Sequence, residues 1–432
     1  MTIPQSQSNL KKEVGLVGVV TFGAGTAIGV SIFSVLAPAA KAAGSGLLVA
    51  VAIDVVPMIL FAIIYSFLSS ALPKSGASYE WPRLFIHPAV GFLVTWLRIL
   101  SNVGALVVLS MVLVSYVSAV VALPLKPTMA GVITTVFALN YLGVSVAARA
   151  QTLLMAVLLG ALSIFVIVGL PMASATAIGP LDSRGWIAIA TAVPLMISLF
   201  LGIESAAEIG EEVRNPERTI PRGIAIAVVL TAGVYVAISV TALGLLGPQR
   251  LAASAAPLLD AARGPMGAFA APVILTAAVV SIIKTMNSTA LVFSRAVFAM
   301  GRSGSFPAAF GRVHTRFGTP HIALLACYTA TMAGLFMPPS LTFLLLAVNI
   351  PTMLKYISSS LSAVQIARCH PEVYARATFR PHRRVVIALG VLGALAGLSI
   401  SLAGVGADWR PYVLIGGWAL VGLAYWYVTG RR

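Results

Sequence analysis

Charge is what this sequence has least of. Asp, Glu, Lys and Arg make up 9% of its 432 residues, where soluble domains carry about a quarter, and 59% of the chain is hydrophobic. A soluble globular class is excluded, and the chain reads as a polytopic membrane protein. Acidic side chains are the scarcer sign, 12 against 28 Lys and Arg, which leaves a net charge of +16. In a soluble chain that balance would point to nucleic acid. Here the basic residues fall in short loops between apolar runs, so membrane topology accounts for them and no nucleic-acid partner is expected. Cysteine is nearly absent: Cys327 in an apolar run and Cys369 in a basic loop offer neither metal-ligand spacing nor a disulfide framework. No Pro/Gly/Ser linker divides the chain, so a single polytopic membrane domain is expected. Met1 to Leu10 is polar and lacks the charged start and cleavage site of a signal peptide, so the first apolar run is expected to be retained.

Catalytic constellations are missing too. There is no carboxylate pair, histidine cluster or activated nucleophile, so neither an enzyme, a cofactor nor a metal is expected. The five histidines, His87, His314, His321, His370 and His382, lie in or beside loops and read as solvated or lipid-facing. No repeated selectivity motif or ring of like charges recommends a channel.

What is abundant is apolar length. Taking about 20 residues as one span, twelve runs emerge: 14–42, 47–72, 89–122, 128–147, 151–172, 187–212, 222–246, 267–300, 320–337, 341–367, 385–404 and 411–429. An even number places both termini on one side. Most Lys and Arg, above all in the loops 302–316 and 368–384, then fall on that same side, which makes it cytoplasmic.

Two of the runs are interrupted. The first carries Gly23-Ala24-Gly25-Thr26-Ala27-Ile28-Gly29 near its middle, and each Gly weakens a helix interior by about 1 kcal/mol relative to Ala. In hydrocarbon a broken helix survives only where its freed N–H and C=O groups meet protein, a cavity or a ligand. A dinucleotide-binding glycine pattern is a poor fit, because no strand precedes it and the acid that follows, Asp54, sits inside a second apolar run. The sixth run breaks at Phe200-Leu201-Gly202-Ile203-Glu204-Ser205, with Glu208, Glu211 and Glu212 following. Five spans separate the two breaks, so they run in opposite directions, which is the signature of an inverted repeat with a mid-membrane site.

The motifs around these breaks carry a resemblance. They are Ala27-Ile28-Gly29-Val30-Ser31-Ile32-Phe33, Leu72-Pro73-Lys74-Ser75-Gly76-Ala77-Ser78-Tyr79, and Phe200 to Ser205 continuing through Glu212-Val213-Arg214-Asn215-Pro216 to Ile220-Pro221-Arg222. Ser294-Arg295-Ala296, Gly304-Ser305-Phe306-Pro307 and Gly318-Thr319-Pro320 complete them. Across runs one to nine the sequence resembles the amino acid–polyamine–organocation (APC) transporters of the LeuT-type fold. The resemblance implies an all-α membrane protein of twelve helices: a five-plus-five inverted repeat (about 14–172 and 187–367), helices one and six interrupted, and two further helices at 385–429. It implies a secondary active transporter of amino acids or related amines in the inner membrane, with amino acid/polyamine exchange as the alternative; protons are expected as the coupling partner because Lys284 would repel a sodium ion between runs one and eight.

Half-helix ends concentrate partial charge, positive at N-termini and negative at C-termini. The amides of Gly29, Val30 and Ser31 are therefore expected to face an anionic group, and carbonyls near Leu201 and Gly202 a cation. The resemblance assigns the carboxylate to the first break and the amine to carbonyls of Ala27, Ser198 and Leu201. The family's small-hydroxyl-small triplet is Gly29-Val30-Ser31 here, with the hydroxyl one position late. Asn102, beside Ser101, and Thr289 are read as a neutral polar pocket, or as contacts between helices.

Ionisable groups within spans are functional candidates by default; Asp54, Arg98, Glu204, Lys284 and Lys355 are taken as such. Glu204 is assigned to gating, or else to capping the freed amides. Some proton-coupled relatives place a lysine amine from run five where sodium-coupled ones bind a cation. Run five here has none, and Lys284 in run eight is expected to supply it; the competing expectation pairs Lys284 with Glu204 or Asp54. Arg98 and Lys355 are read as snorkelling or ion-paired, with Asp54 as a partner for one of them.

Overall fold

The computed structural model describes residues 10–29, 31–118, 122–196, 199–336, 341–403 and 410–429. These are helical throughout; among them the only β-type pairings are two isolated bridges, Val14 with Val213 and Ser75 with Ile209. In chain order the helices are α1 (Leu16–Ala27), α2 (Ser31–Ser34), α3 (Leu36–Ala43), α4 (Leu47–Ala71), α5 (Ala77–Phe85), α6 (Pro88–Ser118), α7 (Leu125–Tyr141), α8 (Val144–Gly169) and α9 (Ala175–Ile178). There follow α10 (Gly185–Met196), α11 (Pro216–Ala253), α12 (Pro257–Met266), α13 (Ala270–Arg302), α14 (His321–Gly334), α15 (Leu341–Cys369), α16 (Pro371–Arg376), α17 (Arg383–Ala403) and α18 (Arg410–Thr429).

By length and composition, eight stretches among the described residues can cross a bilayer: Leu16–Phe33, Leu36–Ala71, Pro88–Ser118, Val144–Met172, Pro216–Ala253, Pro257–Arg302, Arg383–Leu402 and Arg410–Thr429. The outer surface is apolar, with Ile187, Val229, Ile167 and Leu153 all exposed, while Lys284, Arg295, Asp54 and Glu212 are enclosed. A surface of that kind is solvated by lipid, and the protein is a multi-pass membrane protein.

Some boundaries differ from the sequence reading. The reversal expected between residues 147 and 151 lies at Gly143, whose φ of +129° turns the chain from α7 into α8, and Arg149 stands on the exposed face of α8 instead of in a loop. The short helix α12, opening at Pro257 with a proline in its first turn, was not expected. His87 and His382 are exposed as expected. His314 is not simply solvated, since its Nδ1 accepts the amides of Arg316 and Phe317 and organises the loop before α14.

Candidate functional site

Both breaks form within the described residues. Helix α1 ends at Ala27; Ile28 leaves helical geometry with φ −71° and ψ 69°, and the chain resumes helical turns at Ser31 and Leu36. Helix α10 ends at Met196, and past Gly202 the chain continues as 3₁₀ turns over Ile203–Glu208 and Gly210–Glu212. The breaks pack on each other. Gly202 has φ +104°, a left-handed conformation that favours glycine, and a Cβ there would lie 2.4 Å from Thr26 Cγ2. A Cβ on Gly23 would lie 2.7 Å from the Ile203 carbonyl oxygen. The glycines thus let two backbones meet where side chains would hold them apart.

Tyr235, on α11, joins the breaks directly. Its hydroxyl lies 2.6 Å from the Ala27 carbonyl and 2.8 Å from that of Leu199. The Gly29 amide also donates to the Ala27 carbonyl, at 2.6 Å. A carbonyl accepts two hydrogen bonds, so in this conformation an incoming amine would replace a protein donor at Ala27, and a carboxylate would draw Gly29 out of its tight turn. Val30 and Ser198 lie outside the described residues. Ser31 and Leu201 stand beside the breaks, both half-buried.

Lys284 of α13 reaches the open end of α1. Fully buried, its ammonium donates to the carbonyls of Gly25 and, at 2.8 Å, Ile28, and the Ser281 hydroxyl donates to Ile28 at 3.2 Å. Freed carbonyls at a helix C-terminus carry negative partial charge, so the ammonium occupies ground suited to a cation. The expectation that Lys284 pairs with Glu204 or Asp54 is not met: among the described residues it forms no salt bridge, and both Asp54 oxygens lack a hydrogen-bond partner. Beside Lys284, Gln151 of α8 donates to the Thr21 carbonyl at 3.3 Å and accepts from Asn287 at 2.9 Å, while Asn287 accepts from Asn140 of α7 at 3.0 Å. This buried amide chain fixes α1 against α7, α8 and α13.

The four glutamates after the second break all find cations. Glu204 binds Lys355 of α15 through one oxygen and the Tyr356 hydroxyl through the other, at 2.5 Å. Lys355 is therefore committed to Glu204, not to Asp54. Glu208 takes Arg98 of α6 at 3.4 Å, together with the Ser78 amide at 3.2 Å and the Ser78 hydroxyl. Glu211 takes Arg302 at 2.6 Å and Lys74 at 3.6 Å. Glu212 and Arg295 of α13 form a two-bonded pair at 2.7 Å with no exposed surface on either side chain. The pairs tie the 204–212 segment to α6, α13 and α15.

The neutral pocket read from Asn102 and Thr289 does not assemble as one hydrogen-bonded unit. The Thr289 hydroxyl donates to Thr285, and the buried Asn102 amide nitrogen has no partner among the described residues. Sequence reasoning missed Tyr235, Tyr356 and the Gln151–Asn287–Asn140 chain. Polar residues in otherwise apolar runs four, five, seven, eight and ten were the available signal.

The whole architecture has relatives. A family profile described as "Amino acid permease" matches residues 14–427. An uncharacterised transporter of Mycobacterium tuberculosis is 33% identical over 320 residues, covering 73% of this chain and 72% of the relative. A methylthioribose transporter of Bacillus subtilis is 25% identical, covering 99% and 95%. A branched-chain amino acid permease of the same organism is 23% identical, covering 99% and 94%. Family and relatives are transporters, not enzymes. With interrupted helices packed break to break and a profile match over nearly its full length, the chain belongs to the amino acid permease family of APC transporters.

Proposed function

We propose that this protein is a proton-coupled secondary active transporter that carries a neutral amino acid, or a related small amine, across the cytoplasmic membrane by alternating access. Twelve spans in a five-plus-five inverted repeat, both termini cytoplasmic, give the framework. The bundle of runs one, two, six and seven rocks against three, four, eight and nine. The solute sits between the breaks, its carboxylate on the amides of Gly29, Val30 and Ser31 and its amine on carbonyls of Ala27, Ser198 and Leu201. Gly202, Asn102 and Thr289 border its side chain.

The observation that carries this reading is Lys284 bound to the carbonyls of Gly25 and Ile28. As an ammonium it excludes a sodium ion between α1 and α13 and caps the end of α1. On losing its proton it releases that end, so protonation and the position of α1 change together. Because Glu204 is neutralised by Lys355, the site offers the solute no unpaired carboxylate, which disfavours a cationic solute and favours a net-neutral one. The branched-chain amino acid permease among the relatives agrees with this.

Uptake into proteoliposomes tests it, with leucine as the first probe and the other amino acids in parallel. An inward pH gradient is expected to drive accumulation, and Lys284→Gln to abolish that drive. Sodium-dependent uptake at constant pH refutes proton coupling. Uptake that requires a loaded interior and ignores the pH gradient assigns the protein to exchange instead.

A further inference from the structure

Asp54 takes no part in the site above, yet its side chain has no exposed surface. Neither carboxyl oxygen has a hydrogen-bond partner among the described residues. It lies on α4 in line with buried Ala50, Met58 and Phe61, at the three- and four-residue spacing of one helical face. From the outer end of α4 it is about two turns deep.

None of the ion pairs formed among the described residues involves Asp54. On α15 and the 203–208 segment, Lys355, Tyr356, Glu204 and Glu208 are bound to one another or to Arg98 and Ser78. On α11, Tyr235 is bound to the breaks. Glu217, Arg218 and Arg222 of α11, Arg368 of α15, Glu372 and Arg376 of α16, and Arg383 and Arg384 of α17 stand at the opposite, cytoplasmic end of these elements. Lys41 of α3, Arg184 ahead of α10 and Arg250 of α11 belong to the outer surface, where Arg184 holds the carbonyls of Ala40 and Lys41.

Helix α4 packs along its length on α11, on α15 and α17, and on the outer half-helices α3 and α10. They close tightly at this end: a Cβ on Gly46, just ahead of α4, would lie 2.7 Å from Ile189 Cγ1 of α10. A carboxylate cannot be shut into apolar packing without a partner, whereas a carboxylic acid can.

Resting on the alternating-access reading, we propose that Asp54 is a proton-binding site that controls closure of the outer gate. The half-helices α3 and α10 seat against α4 once a carboxylate oxygen of Asp54 has taken a proton from external water. When they part, that proton returns to water. This site is separate from Lys284, which lies at the carbonyl end of α1 beneath the gate.

The test uses full-length protein in proteoliposomes and needs no solute. A reporter Ala40→Cys on α3, in a Cys369→Ser background, is reacted from outside with a membrane-impermeant maleimide. As external pH is raised, labelling divided by that of a solvent-exposed reporter cysteine at the same pH, which removes the thiol's own titration, is expected to increase by up to about tenfold per unit, and Asp54→Asn is expected to make that ratio low and independent of pH. Dicyclohexylcarbodiimide, which attacks protonated carboxyls in apolar surroundings, is expected to modify Asp54 in the wild-type chain at neutral pH, read by peptide mass spectrometry. Labelling that ignores pH in the wild type, an unchanged pH profile in Asp54→Asn, or no adduct at Asp54 each overturns the proposal. The carbodiimide result decides it even if the variant does not fold. Loss of the Lys284 reading alone would leave all three readouts standing.

Discussion

Removing one partner of the Glu212–Arg295 pair gives a strong test of how the 204–212 segment is held. Two charge-assisted bonds of 2.7 Å join the side chains, neither of which has exposed surface, and Arg295 donates once more, to Ser294 at 3.0 Å. Water cannot compensate what is left behind. Breaking a buried pair from one side costs about 3–5 kcal/mol, because a charge remains enclosed without a counter-charge, whereas replacing both members often costs little. We therefore expect Glu212→Gln and Arg295→Met each to lose about 3–5 kcal/mol, and the double variant to fall short of their sum by about 2 kcal/mol or more. The backbone contribution is unaffected, since the Glu212 carbonyl continues to accept the amides of Glu13 and Val14 at 3.0 Å. Denaturant unfolding of the three variants in mixed micelles, followed by tryptophan fluorescence, supplies the cycle. A loss under about 1 kcal/mol in Glu212→Gln, or additivity within about 0.5 kcal/mol, refutes the argument, because the pair would then be hydrated and not enclosed.

Three further outcomes follow from the same geometry. Gly202→Ala should destabilise by at least about 1–2 kcal/mol from its left-handed backbone alone, with a steric cost added by Thr26 Cγ2 at 2.4 Å and Cβ at 2.9 Å; Thr26→Ser, which removes Cγ2 alone, should recover only part of the steric cost, as read by thermal unfolding. Tyr235→Phe removes the one proton shared between the Ala27 and Leu199 carbonyls, worth about 0.5–1.5 kcal/mol, and should lower the affinity for transported solute in a binding assay while leaving the purified protein monodisperse. Lys355→Met leaves Glu204 enclosed with only Tyr356 and should cost about 3–5 kcal/mol; Glu204→Gln in the same chain should restore most of it, and failure to do so shows that Lys355 has another partner.

The two breaks were legible because glycine inside a membrane-length run has no cheap explanation other than backbone proximity or ligand. The structure supplies that proximity at Gly23 against Ile203 and Gly202 against Thr26. Lys284 was legible for a similar reason: an amine in hydrocarbon must be answered by something. Its partners were not, since the acceptors are carbonyls, which every residue carries and no sequence distinguishes. Pairing among the ionisable residues failed at Asp54 because periodicity gives depth along each helix but not which faces meet. Lys355 and Arg98 turned to Glu204 and Glu208, leaving Asp54 alone. Tyr235 escaped notice because a tyrosine in an apolar run is usually packing, and only the position of its hydroxyl between two carbonyls marks it out.

The distribution of charge explains why the segment after the second break is so acidic in a basic protein. Four of the chain's 12 acids lie between residues 204 and 212, and each meets a cation on α6, α13, α15 or, through Lys74, the chain ahead of α5. In the proposed rocking framework these helices include the stationary part and the 204–212 segment the moving part, so opening toward the cytoplasm would part the pairs. Charges exposed by that motion regain water at the mouth of the pathway, while the enclosed Glu212–Arg295 pair cannot part without admitting it. The cost of opening is therefore graded: small at Glu211, whose partners already touch solvent, and large at Glu212. In the proposed mechanism, solute binding between the breaks would offset the large term.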